Sequence, residues 1–158
     1  TDALIRYEYQ SYAAMTTDRA LDLSHHKLTY ALLPETDIEV CSSEQSVRDL
    51  ALGNGLWQGL SADDRREQLH RMADLTEQLY PTFRWFLFNG LNHYSAPVTV
   101  FGPKRAAVYI GQMYFAFTGT EHIRTLSKHF DSLVRAAVLS PTEMPVHLRD
   151  LAAQVKDR

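Results

Sequence analysis

A single cysteine, Cys41, stands in 158 residues, so no intramolecular disulfide can form and neither a zinc ribbon nor a CxxC redox pair is available. No apolar run approaches the roughly 18 residues that a membrane-spanning helix needs, because polar or charged residues interrupt each candidate. A basic excess is missing too. The 16 Lys and Arg against 19 Asp and Glu leave a net charge of −3, the wrong balance for a free-standing nucleic-acid binder. No HExxH, GxSxG, Walker or GxGxxG pattern occurs, so the common signatures of metallopeptidase, serine hydrolase and nucleotide chemistry are absent. There is no internal repeat, low-complexity tract or long linker. The opening TDALIRYEYQ has no initiating Met and no signal-peptide pattern, which fits a piece of a longer protein. The lone cysteine fits a reducing, cytoplasmic setting. No metal, cofactor or membrane partner is expected.

What is present is the composition of one globular domain spanning 1–158, with 45% hydrophobic and 22% charged residues. ALIRYEYQSYAAM places Leu4, Tyr7 and Tyr12 near one helical face. In LDLSHHKLTYALLP, Ser24 is the expected cap of a short helix whose Leu28 and Leu32 turn inward. DIEVCS alternates as a short strand should. Ser43 then caps a helix ending near Leu52 at GNG, and Ser61 with Asp64 starts another that runs up to Pro81 along Leu69, Met72, Ala73, Thr76, Leu79 and Tyr80.

After Pro81 the period changes. TFRWFLFNG, APVTVFG, RAAVYIG and MYFAFTG are four β-rich runs, read as an antiparallel meander at about 82–118. Ten of the 17 aromatic residues lie between Phe83 and Phe117, and FRWFLF is apolar on both faces, as befits a central strand covered by helices. Thr120 should cap a strongly amphipathic helix carrying Ile123, Leu126, Phe130, Leu133, Val134 and Ala137 inward, and a last helix after SPTEMP should bury Val146, Leu151 and Val155. The expectation is an α+β fold, a mainly antiparallel sheet packed by amphipathic helices.

Aromatic strands of this kind form either core or the wall of a ligand pocket, and pockets are mostly apolar with a few polar groups. The candidates for such a pocket are Arg84, Trp85, Asn92, His93, Tyr94, Tyr109 and Tyr114. Catalytic candidates fare worse. His25-x-Lys27 resembles half of the phospholipase D motif, but the aspartate required at position 32 is leucine and no second copy exists. His122 and His129 lie about 10 Å apart along one helix, too far to share a metal ion. Cys41, Ser42 and Ser43 could act as nucleophiles only if the fold brought a histidine to them, and serines before a helix are usually caps. An enzyme would draw on the 92–95 loop and the helix carrying His122 and His129.

Two resemblances bear on function. Residues 23–32, LSHHKLTYAL, with Lys27, Leu28, Thr29, Tyr30 and Leu32 following Ser24, resemble the second helix of a helix-turn-helix whose turn would fall at Asp22, which implies a complete small DNA-binding protein using residues 16–33; acidic Asp18, Asp22, Glu35 and Asp37 surround it. Residues 80–138, through the buried aromatic strand, the FGPKRAAVYIG hairpin, MYFAFTG and the TEHIRTLSKHFDSLVRAA helix, resemble the C-terminal sensor or oligomerisation domain of bacterial lambda-repressor-like (XRE-class) helix-turn-helix regulators. The same order is similar to phospholipase-D-like domains without their catalytic histidines. This second resemblance implies a regulatory domain, a homodimer, a small-molecule effector, and DNA contacted through a separate N-terminal domain. The helices at 2–15 and 142–157 are then the expected dimer surfaces.

Overall fold

The structure is a computed structural model that describes residues 1–10, 16–110 and 113–157. Helices α1 (Asp2–Tyr9) and α2 (Thr17–Ala31) lead into strand β1 (Ile38–Ser43), then α3 (Glu44–Leu52), a 3-10 turn and α4 (Ala62–Gln78). Strands β2 (Phe83–Phe88), β3 (Val98–Phe101), β4 (Arg105–Ile110) and β5 (Met113–Phe117) follow, then α5 (Thr120–Arg135), β6 (Ala137–Leu139) and α6 (Met144–Ala153). The fold is α+β, as the sequence led one to expect.

The strands divide into two sheets. Sheet A has the order β1-β2-β6, with β1 parallel and β6 antiparallel to β2; sheet B is the antiparallel meander β3-β4-β5. Only three of the four aromatic runs therefore form the meander. FRWFLF leaves it because both its faces are apolar, which suits the centre of a covered sheet, and because residues 89–97 are too long for a hairpin turn.

Local capping places these elements where the residues dictate. The Ser43 hydroxyl accepts the Ser46 N–H at 3.2 Å and starts α3, and Ser61 Oγ accepts the Asp64 N–H at 3.1 Å to start α4. Gly53 ends α3 in the left-handed region, with φ 64°, and a Cβ there would also fall 2.9 Å from the Arg65 guanidinium. Other boundaries differ from the sequence reading. Ser24 lies inside α2, whose cap is Thr16; the helix formers on both sides of Ser24 carry the helix across it. Its Leu28 is half-buried and Leu32 exposed. Gly119, not Thr120, precedes α5, and Ala137 belongs to β6 because the chain breaks helix at Ala136 to pair with β2. Tyr12 and the rest of 11–15 lie outside the described residues.

The core occupies one face of sheet A. Val47, Leu50 and Ala51 of α3, Leu69 and Ala73 of α4, and Met144, Leu148, Leu151 and Ala152 of α6 close over Leu87 of β2. Val155 is buried with them as expected, but Val146 is exposed on the opposite side of α6. The apolar stripe of α6 is thus used within the chain. Leu4 and Tyr7 of α1 pack on the same core, and the Tyr7 hydroxyl donates to Leu56 O at 2.8 Å while accepting the Gly59 N–H at 3.0 Å.

One buried charge was invisible in the sequence. Arg65, on α4, donates to the carbonyls of Ala51 at 2.6 Å, Leu60 at 3.2 Å and Lys156 at 3.1 Å. It thereby ties the end of α3 and the chain after α6 to α4, and carbonyls at a helix C-terminus offer it partial negative charge.

Candidate functional site: a cleft between two strand edges

Helix α5 touches β1 and β2 of sheet A and also β3 and β4 of sheet B, so it bridges the two sheets. Above it lies a cleft of about 1390 Å³. Every residue of β1 and every residue of β3 lines it. A strand that offers a face contributes alternate residues, whereas one that offers its edge contributes all of them. Two open strand edges therefore border this cleft.

The hydrogen-bond pattern agrees. Ile38 N–H donates to Thr82 O at 2.8 Å, which turns the backbone of Ile38, Val40 and Ser42 toward β2 and that of Glu39 and Cys41 toward the cleft. Tyr109 N–H donates to Pro97 O at 3.0 Å, which by the same alternation leaves Val98 and Val100 facing outward from β3.

Phe130, Asp131 and Ser127 of α5 contribute to the cleft, Tyr30 and Tyr109 contribute aromatic surface, and His93 and Tyr94 stand on the 89–97 loop at its rim. Gly90 lets that loop approach β1, since a Cβ there would lie 2.8 Å from Ser43 Cβ, and its N–H is held by Gln45 Oε1 at 2.8 Å. Asp37, Glu39 and Asp131 are the acidic residues of the lining, and no Lys or Arg is among the lining residues described.

Of the seven pocket candidates, His93, Tyr94 and Tyr109 meet at the cleft. Arg84 does not line it. Its guanidinium bonds Asp37 Oδ1 at 2.6 Å, Glu39 Oε1 at 3.1 Å and Pro81 O at 2.8 Å, a strap between β1 and β2, and the Asp37 hydrogen bond leads in raising its already high pKa. Trp85 projects to the helical side of sheet A and donates from its indole to Ser42 Oγ at 3.2 Å. Asn92 is exposed outside the lining, and Tyr114 sits beyond it on β5, its ring 6.1 Å from that of Tyr109. The edges of β1 and β3 were missed, because which strand ends a sheet is decided by pairings distant in sequence.

The chemical groups in and around the cleft are mostly committed. Burial, helped by Glu39, pushes the Cys41 thiol up to about 11, so it is protonated and a poor nucleophile near neutrality. His129 Nε2 lies 2.9 Å from Ser95 Oγ, joining the 92–95 loop to α5 as the enzyme reading requires. The Ser95 hydroxyl, however, is aimed at Ala96 O at 2.9 Å, and among the described residues no carboxylate is bonded to His129. A Ser-His nucleophile usually has its base oriented by a third group; what this pair does structurally is join the 89–97 loop to α5. His122 stacks on Phe117 at 5.7 Å, away from His129. His25 Nε2 is 3.0 Å from Asp2 Oδ1 and joins α2 to α1. The latter helix pair also disposes of the helix-turn-helix geometry: α2 runs unbroken through Asp22, where the turn would fall.

No protein-family model, curated protein or solved structure matches the chain. Among the described residues no helix is long and apolar enough to cross a membrane.

Proposed function

We propose that this chain is the ligand-sensing regulatory domain of a bacterial transcriptional regulator, and that the cleft between β1 and β3 is its effector site. The observation that carries the reading is the placement of that cleft: a concave, largely apolar and aromatic space at the junction of two sheets, which a ligand can bridge. The resemblance of residues 80–138 to regulator sensor domains supports it. An effector that contacts both edges favours one relative setting of the sheets and shifts the population toward it. DNA contact belongs to a separate domain of the same protein.

The charge of the lining selects the effector class. Arg84 neutralises Asp37 and Glu39, which leaves Asp131 as the uncompensated charge of the lining, and with no Lys or Arg among the described lining residues a neutral or cationic aromatic compound suits the cleft better than an anion. Indole, tryptamine and indole-3-acetate share one ring system and differ in charge, so they are the probes of choice in an amide-resolved NMR titration. Indole and tryptamine should shift amides of β1, β3 and α5, with indole-3-acetate at least about tenfold weaker. Shifts scattered over the surface, or tighter binding of the anion, would contradict the assignment. The full reading frame should also encode a DNA-binding segment before Thr1.

A further inference from the structure

Among the described residues four strands end a sheet: β1 and β6 in sheet A, β3 and β5 in sheet B. Natural edges are protected from pairing by charge, proline, bulges or shortness. β1 carries Glu39 and faces the cleft, β3 is flanked by Pro97 and Pro103, and β6 is three residues long beside a register shift. β5 has none of these devices. Its sequence MYFAF contains no charge and no proline, and it is open on both faces, with Met113 63%, Tyr114 66% and Phe115 53% exposed.

We infer that β5 is a homodimer interface, in which the strand pairs antiparallel with β5 of a second copy and joins two B sheets into one of six strands. The occupant is a second copy because the geometry is self-complementary. β4 residues Ala106, Val108 and Ile110 bond toward β5, so Tyr114 and Ala116 turn their N–H and C=O groups to the open side. A twofold axis beside Phe115 then satisfies both residues in both copies through roughly four backbone hydrogen bonds, with no like charges opposed. Closed twofold pairing consumes both edges, so assembly stops at two.

The area is sufficient. Ile110 is 55% exposed and Tyr109 39%, and both adjoin β5 in register with Met113 and Tyr114. At about 150–200 Å² per large side chain, these two and the three β5 residues offer at most roughly 500 Å² per chain, so a pair buries up to about 1,000 Å², the lower bound for a specific interface. The sequence pointed to the helices at 2–15 and 142–157 as dimer surfaces; the stripe of α6 packs within the chain, whereas β5 is open. Resting on the effector reading, it also supplies a route for regulation, since β3 at the cleft and β5 at the interface are two strands of one sheet, about 10 Å apart.

Analytical ultracentrifugation of the chain without any ligand tests the interface, so its failure is separable from failure of the effector reading. The wild type should sediment as a monomer–dimer equilibrium. Phe115→Lys, which sets two ammonium groups beside the axis, should raise the dissociation constant at least about tenfold. Ala116→Pro removes an outward N–H while leaving the β4 ladder intact, and should do the same. If either variant misfolds by circular dichroism, amide exchange on the wild type decides instead: Tyr114 and Ala116 should gain protection as protein concentration rises. A monomer at all concentrations, growth beyond two copies, or a dimer indifferent to both substitutions overturns the inference.

Discussion

Sheet A and sheet B are both three-stranded, yet they are built to different ends. β2 ends in Leu87 and Phe88, both buried, and Leu69, Met144 and Leu148 beside it are fully removed from solvent. β5 buries nothing completely, and its large side chains face water on both sides. The helical half holds the fold, since each fully buried aliphatic side chain contributes about 1.5–3 kcal/mol. The meander is held by β4 and α5 and leaves apolar surface exposed.

Substitutions should divide along the same line. Arg65→Met leaves the carbonyls of Ala51, Leu60 and Lys156 without their shared donor, and Leu148→Ala opens a cavity between α6 and α4. Either should cost about 2–5 kcal/mol in urea denaturation. Phe115→Lys should change the same unfolding free energy by less than about 0.5 kcal/mol when measured on dilute monomer. Equal losses on both sheets would erase the distinction.

A smaller effect concerns the β1 edge of the cleft. The thiol of Cys41 is held at about 11, above its unfolded value of about 8.5–9, so the folded state keeps a proton that the unfolded chain has lost. More protons on the native state means that stability falls as pH rises from about 9 to about 11. Cys41→Ala should flatten that slope. At pH 8, iodoacetamide should modify Cys41 about a hundredfold more slowly than it modifies the denatured chain, because little thiolate exists in the fold.

The fold was readable from the sequence where local chemistry decides it. Ser43 and Ser61 announce their helices, Gly53 ends one, and the two apolar faces of FRWFLF announce a central strand. Pairing between distant segments was not readable. That β2 joins β1 across α3 and α4, that β6 forms after α5, and that β1 and β3 leave open edges all depend on contacts far apart in sequence. The site shares this division. His93, Tyr94 and Tyr109 were found by composition, whereas Arg84 and Trp85 drew attention as polar or aromatic residues but are committed to β1 through Asp37, Glu39 and Ser42.

Native-state hydrogen exchange, resolved by residue and run at two protein concentrations, separates the two sheets most directly. Leu87 and Leu148 amides should exchange at the rate of global unfolding at both concentrations, while Tyr114 and Ala116 should exchange fast when dilute and slow as the chain is concentrated. Fast exchange of Leu87, or protection of Tyr114 and Ala116 that ignores concentration, would contradict the division of stability and recognition between the sheets.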